Sequence, residues 1–369
     1  MDQRALAQPW GAAMGVSVRD LGAIGDGSAD DTDAVQAAID RGGITFFPPG
    51  DYSCRTLTMR AASRLSGSNS GTYRYLDGAY VDAYPTGTVS RIIRRPGTNA
   101  PLILGPLGAT RVILEDLEID GRNLLQTAGQ PHVVSLTDSP TAEDTQWVIS
   151  RCYLHGRSDP HAPDWGRGGS NLYIGAGRMA CRVLHTTSNY AHHHGIEING
   201  ADALVDGCIV GGNGAHGIVI GAWATTITNS AIYNNTNGIH VTDTGAASPK
   251  RIVITANGID RNRQSGVLLD GTPTSGSAGV SITNNAFTSN STDADGGSGH
   301  ISVHTSSGQV AVGGNIFSIL EEGYLNCTSA ALHLAEGATA LDLGNLYEGG
   351  SVAGFTNAPS ELRPHPAGS

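Results

Sequence analysis

Tyr173 and Glu197 stand at matching positions in two copies of one short pattern, NLYIG at Asn171–Gly175 and GIEIN at Gly195–Asn199. In a strand of period two the flanking aliphatics turn inward, which leaves the middle residue outside. A phenol and a carboxylate on neighbouring copies are an acid and a base within reach of each other. Two further segments run straight into these copies. SDPHAPDWGRGG, Ser158–Gly169, feeds the Tyr173 copy and carries Asp159, His161, Asp164, Trp165 and Arg167. The triplet His192-His193-His194 leads directly into Gly195.

Two chemistries are open to this set. Glycosidic hydrolysis asks for two carboxylates, about 5–5.5 Å apart for retention and about 6.5–9.5 Å for inversion. Glu197 with Asp164 or Asp159 is the candidate pair. Proton abstraction beside a uronate carboxylate asks instead for a base, an acid and a neutralising group. Arg167, Arg157 or a bound Ca²⁺ would supply the last. Trp165 and Trp223 fall on loops beside the same face, where indoles stack on sugar rings. His193, His194, His240, Asn199 and Arg167 complete the expected substrate contacts. Three consecutive histidines cannot all point at one ion, so no metal is assigned, and apart from Ca²⁺ in the lyase case no cofactor is expected.

These residues must be positioned by repetition. The pattern recurs as GIVIG at Gly217, GIHVT at Gly238, GVLLD at Gly266, HISVH at His300 and ALHLA at Ala331, with a second run such as LVDGCIV or TITNSAIY between copies. A period of this size means stacked supersecondary units. The outward position then reads Ser135, Tyr173, Glu197, Val219, His240, Leu268, Ser302 and His333, so Tyr173 and Glu197 are neighbours and His240 lies two units beyond. The next outward position gives Gly175, Asn199, Gly221, Thr242 and Asp270. Asn213, Asn234 and Asn262 each precede a strand glycine by four residues, which predicts a turn ladder of stacked amides. Gly121–Pro131 and Arg157–Ser170 interrupt the period as long insertions. In STDADGGSG, Ser291–Gly299, the acidic residues read as a flexible polar turn.

Composition agrees with a solenoid. Fifty-one glycines and 5% aromatics suit short strands and tight turns. The net charge of -11 argues against nucleic acid and gives no basic face for a membrane. Five cysteines without a CxxC pair, with Cys152 and Cys208 at equivalent rungs, read as small buried hydrophobes. No apolar run is long enough to span a bilayer, and no signal peptide is visible.

Near the start, Asp31 or Thr32 caps a helix whose Ala34, Val35, Ala38 and Ile39 share a face, and Gly42-Gly43 ends it. Val18–Tyr52, with its GAIGDGSADDTDAVQAAID core and downstream FPPGDY, resembles the N-terminal signature of the pectate-lyase-like superfamily. That resemblance, supported by the ladder over 18–350, implies an all-β, single-stranded right-handed parallel β-helix with a short N-terminal capping helix. It divides the chain into a lead and cap (1–52), a β-helix with inserted loops (53–350) and an irregular tail (351–369). Asp159-Pro160-His161 further resembles a motif of mannuronan C5-epimerases, with Gly156 where those enzymes have tyrosine. The motif implies His161 in proton transfer and Asp159 orienting it.

The expectation is therefore an enzyme that cleaves glycosidic bonds of a polysaccharide or oligosaccharide, by hydrolysis or β-elimination, in a groove along one face. C5-epimerisation is the alternative reaction, and a phage tailspike or adhesin that only binds glycan is the alternative class. The expected setting is extracellular or a phage virion, as a monomer or homotrimer. The catalytic expectation rests on Glu197, Asp159, His161, Asp164 and Tyr173.

Overall fold

Aliphatic alternation becomes stacked parallel strands in the computed structural model, which describes residues 15–71, 73–76, 79–82, 87–129, 131–156, 168–242, 250–270, 279–290, 299–304, 309–318, 330–334 and 340–348. The strands form three long parallel sheets of 12, 11 and 10 members. Each coil contributes one strand to each sheet, so the chain is a right-handed parallel β-helix. The core is the column between the sheets. In the third sheet Leu172, Ile174, Ile196, Ile198, Ile218, Ile220, Ile239 and Val241 all point into it and none exceeds 3% exposure.

The run between copies of the pattern is two strands rather than one. VILEDLEI splits into Ile113–Glu115 and Glu118–Asp120, in different sheets. The corner between them is Asp116, whose φ of 54° turns the chain in one left-handed residue. A corner that short leaves no gap in the aliphatic run, so the third face was hidden in the sequence.

The strand glycines have a steric cause. A Cβ on Gly217 would lie 2.6 Å from the Gly238 carbonyl oxygen, and one on Gly238 would lie 2.5 Å from that of Gly266. Beside them runs the amide ladder, with one correction: its members are Asn213, Asn235, Asn262 and Asn290, and Asn234 is excluded. Nδ2 of each donates to Oδ1 of the next at 2.9, 3.1 and 2.8 Å. Asn234 has φ 55° and makes the corner itself. The register follows the residue after that corner, not the distance to the glycine. A parallel ladder, Asn257–Asn285–Asn315–Asn345, lines another corner. Cys54, Cys152, Cys181 and Cys208 are buried thiols. Cys152 and Cys208 occupy the rungs that continue this second ladder, their N–H groups donating to Thr186 and Ser230 hydroxyls.

The helix runs Thr32–Asp40 and buries Val35, Ala38 and Ile39. Asp31 precedes it without a side-chain capping bond to the helix. Its carboxylate instead accepts the N–H groups of Ile24 (2.6 Å) and Gly25 (3.1 Å), tying the preceding turn to the helix start. Insertion 121–131 is held by Arg94, fully buried, which donates to the carbonyls of Gly121, Ala100, Pro131 and His132 and to Asn123 Oδ1. The second insertion lies outside the described residues over 157–167, as do 291–298 and 351–369.

Candidate active site

Strand Leu172–Ile174 pairs with Ile196–Ile198 in register, so Tyr173 opposes Glu197, then Val219, then His240. Adjacent parallel strands lie about 4.8 Å apart, which sets the spacing of these side chains. The Glu197 carboxylate accepts the Ser170 hydroxyl at 2.7 Å and the Asn199 amide at 3.3 Å, one on each oxygen. Tyr173 donates its phenol to Asp138 Oδ1 at 2.7 Å. Burial, reinforced by that bond and by the Asp138 charge, pushes the phenol well above its ordinary range and keeps it protonated.

Asp138, exposed at the end of the preceding coil, is fixed from two sides. Its Oδ1 also accepts the Ala176 N–H at 2.9 Å. A Cβ on Gly175 would lie 2.7 Å from both Asp138 N and Oδ1, so the small residue there admits this side chain. Buried Arg178 bonds the neighbouring Thr137 carbonyl at 2.6 Å and pairs with Glu143.

A second column of side chains precedes the strands: His132, Ser170, His194, His216 and Asn237, successive rungs joined by main-chain bonds such as Asn171 N to His194 O and Gly195 N to His216 O. In this column imidazole stands in for the amide of the asparagine ladders. His132 Nδ1 accepts the Ser170 N–H at 3.0 Å, and His194 Nδ1 accepts the His216 N–H at 3.3 Å. His216 Nδ1 faces the Asn237 amide at 3.2 Å, whose Oδ1 accepts the Ser265 N–H. An Nδ1 that accepts carries no proton, so these rings are neutral Nε2–H tautomers. His132 stacks on Tyr173 with centroids 4.5 Å apart and planes at 13°. Burial lowers the pKa of His132 and His193, against the pull of Glu197. Burial and then the neighbouring imidazoles push His194 down to about 2 and His216 to about 3.

His193, His194 and Glu197 bring one ligand atom each to within 4.8 Å of one another, the only such group found among the described residues. Within this group His194 Nδ1 accepts the His216 N–H, which leaves its Nε2 protonated, and each Glu197 oxygen accepts one hydrogen bond.

Of the expected site residues, Tyr173, Glu197, Asn199, His193 and His194 come together, with His240 further along the row. His193 donates its N–H to Gly169 O at 3.2 Å, so the histidine turn and the end of the second insertion do meet. Asp159, His161, Asp164, Trp165 and Arg167 lie outside the described residues. The ends flanking them converge: a Cβ on Gly156 or Gly168 would strike the Asn123 side chain. Trp223 lies on the turn after Ile218–Ile220 and carries the Arg251 guanidinium 4.8 Å above its ring. His132, Asp138, Ser170 and His216 were missed. Three of them sit three residues before an outward ladder position and Asp138 three after one, an offset that reading the strands alone does not weigh.

Two family profiles match: "Rhamnogalacturonase A/epimerase, pectate lyase-like" over residues 15–71 and "Right handed beta helix region" over 170–345. The chain is thus similar to the pectate-lyase-like superfamily of right-handed parallel β-helix proteins. A capsule K30/K69-specific depolymerase of Klebsiella phage K5-2 is 29% identical over 79% of this chain and 35% of its own length. Another of the same specificity, from Klebsiella phage K64-1, is 28% identical over 91% of this chain and 41% of its own. The chain thus spans less than half of the length of these relatives. Among solved structures, the A-module of the Azotobacter vinelandii mannuronan C-5 epimerase AlgE4 superposes with TM-score 0.65 at 16% identity, covering 90% of this chain and 94% of that one. No helix among the described residues is long and apolar enough to cross a membrane.

Proposed function

We propose that this β-helix hydrolyses glycosidic bonds of a polysaccharide lying along its third sheet. The two phage capsule depolymerases among its relatives support the polymer and an extracellular or virion setting. The reading is carried by the Glu197 carboxylate, held by Ser170 and Asn199 one rung from a phenol that burial, and then its bond to Asp138, keeps protonated. Glu197 is the base that activates water. Tyr173 is the acid that protonates the departing oxygen, and Asp138 positions it. Elimination and epimerisation also need a group to neutralise a uronate carboxylate. The described histidines nearest Glu197 are held neutral, and buried Arg94 is committed to four carbonyls and Asn123. Arg157 and Arg167, the cations expected for that task, lie outside the described residues, so hydrolysis rests on the Glu197–Tyr173 pair and the depolymerase relatives.

A screen of bacterial capsules, uronates, neutral glycans and fructans identifies the polymer. Hydrolysis then releases reducing ends with no rise in absorbance near 235 nm, and Glu197→Gln lowers kcat by about 10²–10⁴ with KM nearly unchanged. A rise near 235 nm would establish elimination, and unchanged turnover in Glu197→Gln would remove Glu197 from the chemistry.

A further inference from the structure

We infer that the imidazole row His194–His216–His240 is a subsite for an uncharged sugar unit of the polymer, met by ring edges and N–H groups instead of by charge. The inference rests on the groove reading above and adds the chemistry of one stretch of it. The row is continuous: His194 and His216 stack with centroids 5.1 Å apart and planes at 9°, and His216 meets His240 edge-on at 4.6 Å. Stacking turns the ring faces toward one another and leaves the edges outward. His194 is buried and His216 and His240 are half-buried, so the row offers C–H and N–H edges that match the mixed surface of a pyranose. With Nδ1 of His194 and His216 turned to the column, what remains on each ring is an Nε2–H donor.

Charge around the row disfavours an acidic unit. Glu197 stands at one end and Asp270 at the other, exposed, on the strand paired with that of His240. The described cation acting on His216, Arg263, is engaged by the Gly214 carbonyl and the Thr236 hydroxyl. His240 Nε2 is buried without a hydrogen-bond partner and lies 4.0 Å from Asp270 Oδ2. That gap is too long for a direct bond and suits one bridging hydroxyl once the exposed Asp270 side chain moves aside. An orphaned buried nitrogen beside an exposed carboxylate is a position where a sugar hydroxyl completes two bonds. A uronate carboxylate there would meet Asp270 with like charge.

The test uses the full chain labelled with ¹⁵N-histidine and long-range ¹H–¹⁵N spectra. The probes are neutral hexaoses of gluco, manno and galacto configuration, against hexagalacturonate and hexamannuronate. We expect His194 and His216 as Nε2–H tautomers, and at least one neutral hexaose to shift the His216 and His240 signals while neither uronate does. His216→Asn, which installs the residue type found at Asn237 in the same column, should weaken that hexaose at least tenfold. Shifts from uronates alone, shifts from no probe, or undiminished binding in His216→Asn would each overturn the inference. The catalytic reading fails by a different result, unchanged polymer cleavage in Glu197→Gln, so the two are separable.

Discussion

Mild acid should unfasten the middle coils of this β-helix, and the histidine column should be the cause. In the folded chain His194 Nδ1 and His216 Nδ1 face hydrogen-bond donors, and burial with neighbouring imidazoles holds their pKa values near 2 and 3. In the unfolded chain each titrates near the ordinary 6.5. Below 6.5 the unfolded state therefore takes up protons that the folded state refuses. The stability these groups contribute is complete above pH 6.5 and is lost as pH falls toward the folded values. The slope is about 1.4 kcal/mol per pH unit for each imidazole. Between pH 6.5 and 5 that is about 2 kcal/mol each, or about 4 for the pair, a large share of a typical folding free energy. A solenoid opens coil by coil, so the measurement is hydrogen exchange of peptides spanning 190–242 at pH 7, 6 and 5, beside urea unfolding. His216→Asn should lessen the pH-dependent loss between pH 6.5 and 5 by about 2 kcal/mol, while His193, His194 and His240, also lowered by burial, keep the remainder. Parallel loss in wild type and His216→Asn would show that the column does not carry the acid sensitivity.

Asn262→Ala should cost about 3–5 kcal/mol in urea unfolding, because it strips partners from buried groups on both adjacent rungs. Asn262 Oδ1 accepts Asn235 N and Nδ2 at 3.1 Å, and its Nδ2 reaches Ile232 O at 3.3 Å and Asn290 Oδ1 at 2.8 Å. A loss below 1 kcal/mol would mean that water replaces the ladder. Tyr173→Phe should lower kcat by about 10²–10⁴ if the phenol is the acid. Asp138→Asn removes a bond and a charge that hold the phenol pKa up, so the alkaline limb of the pH–rate profile should move to lower pH. An unmoved limb would detach Asp138 from Tyr173 in the reaction.

The repeat and the inward aliphatics were legible because strand alternation is a local property of the chain. Each GIxIx copy declares its own inside and outside, and stacking copies in register follows from burying the same face. The Tyr173–Glu197 pairing was readable for the same reason, being one rung of one ladder. The split of VILEDLEI was not, since a single left-handed residue at Asp116 turns the corner without a glycine or proline to mark it. Asn234 was taken for a ladder member in place of Asn235 because the corner's register depends on φ, which composition does not show.

From its residues alone, then, this protein determines a parallel solenoid with a helical N-terminus and one outward face where an acid and a base are neighbours. Tertiary structure decided how that face is equipped. Asp138 reaches Tyr173 because Gly175 on the next coil leaves room, and His132 lies over the phenol across 41 residues of chain. In sequence the histidine triplet was assigned no metal, and His193, His194 and His240 were expected only as substrate contacts. Stacked one above another, with Nδ1 facing donors from the next coil, His194 and His216 became a neutral column. The physical reason is that hydrogen-bond commitment and desolvation are set by the neighbouring coil, and a neighbour 20 or more residues away leaves no mark on the local pattern.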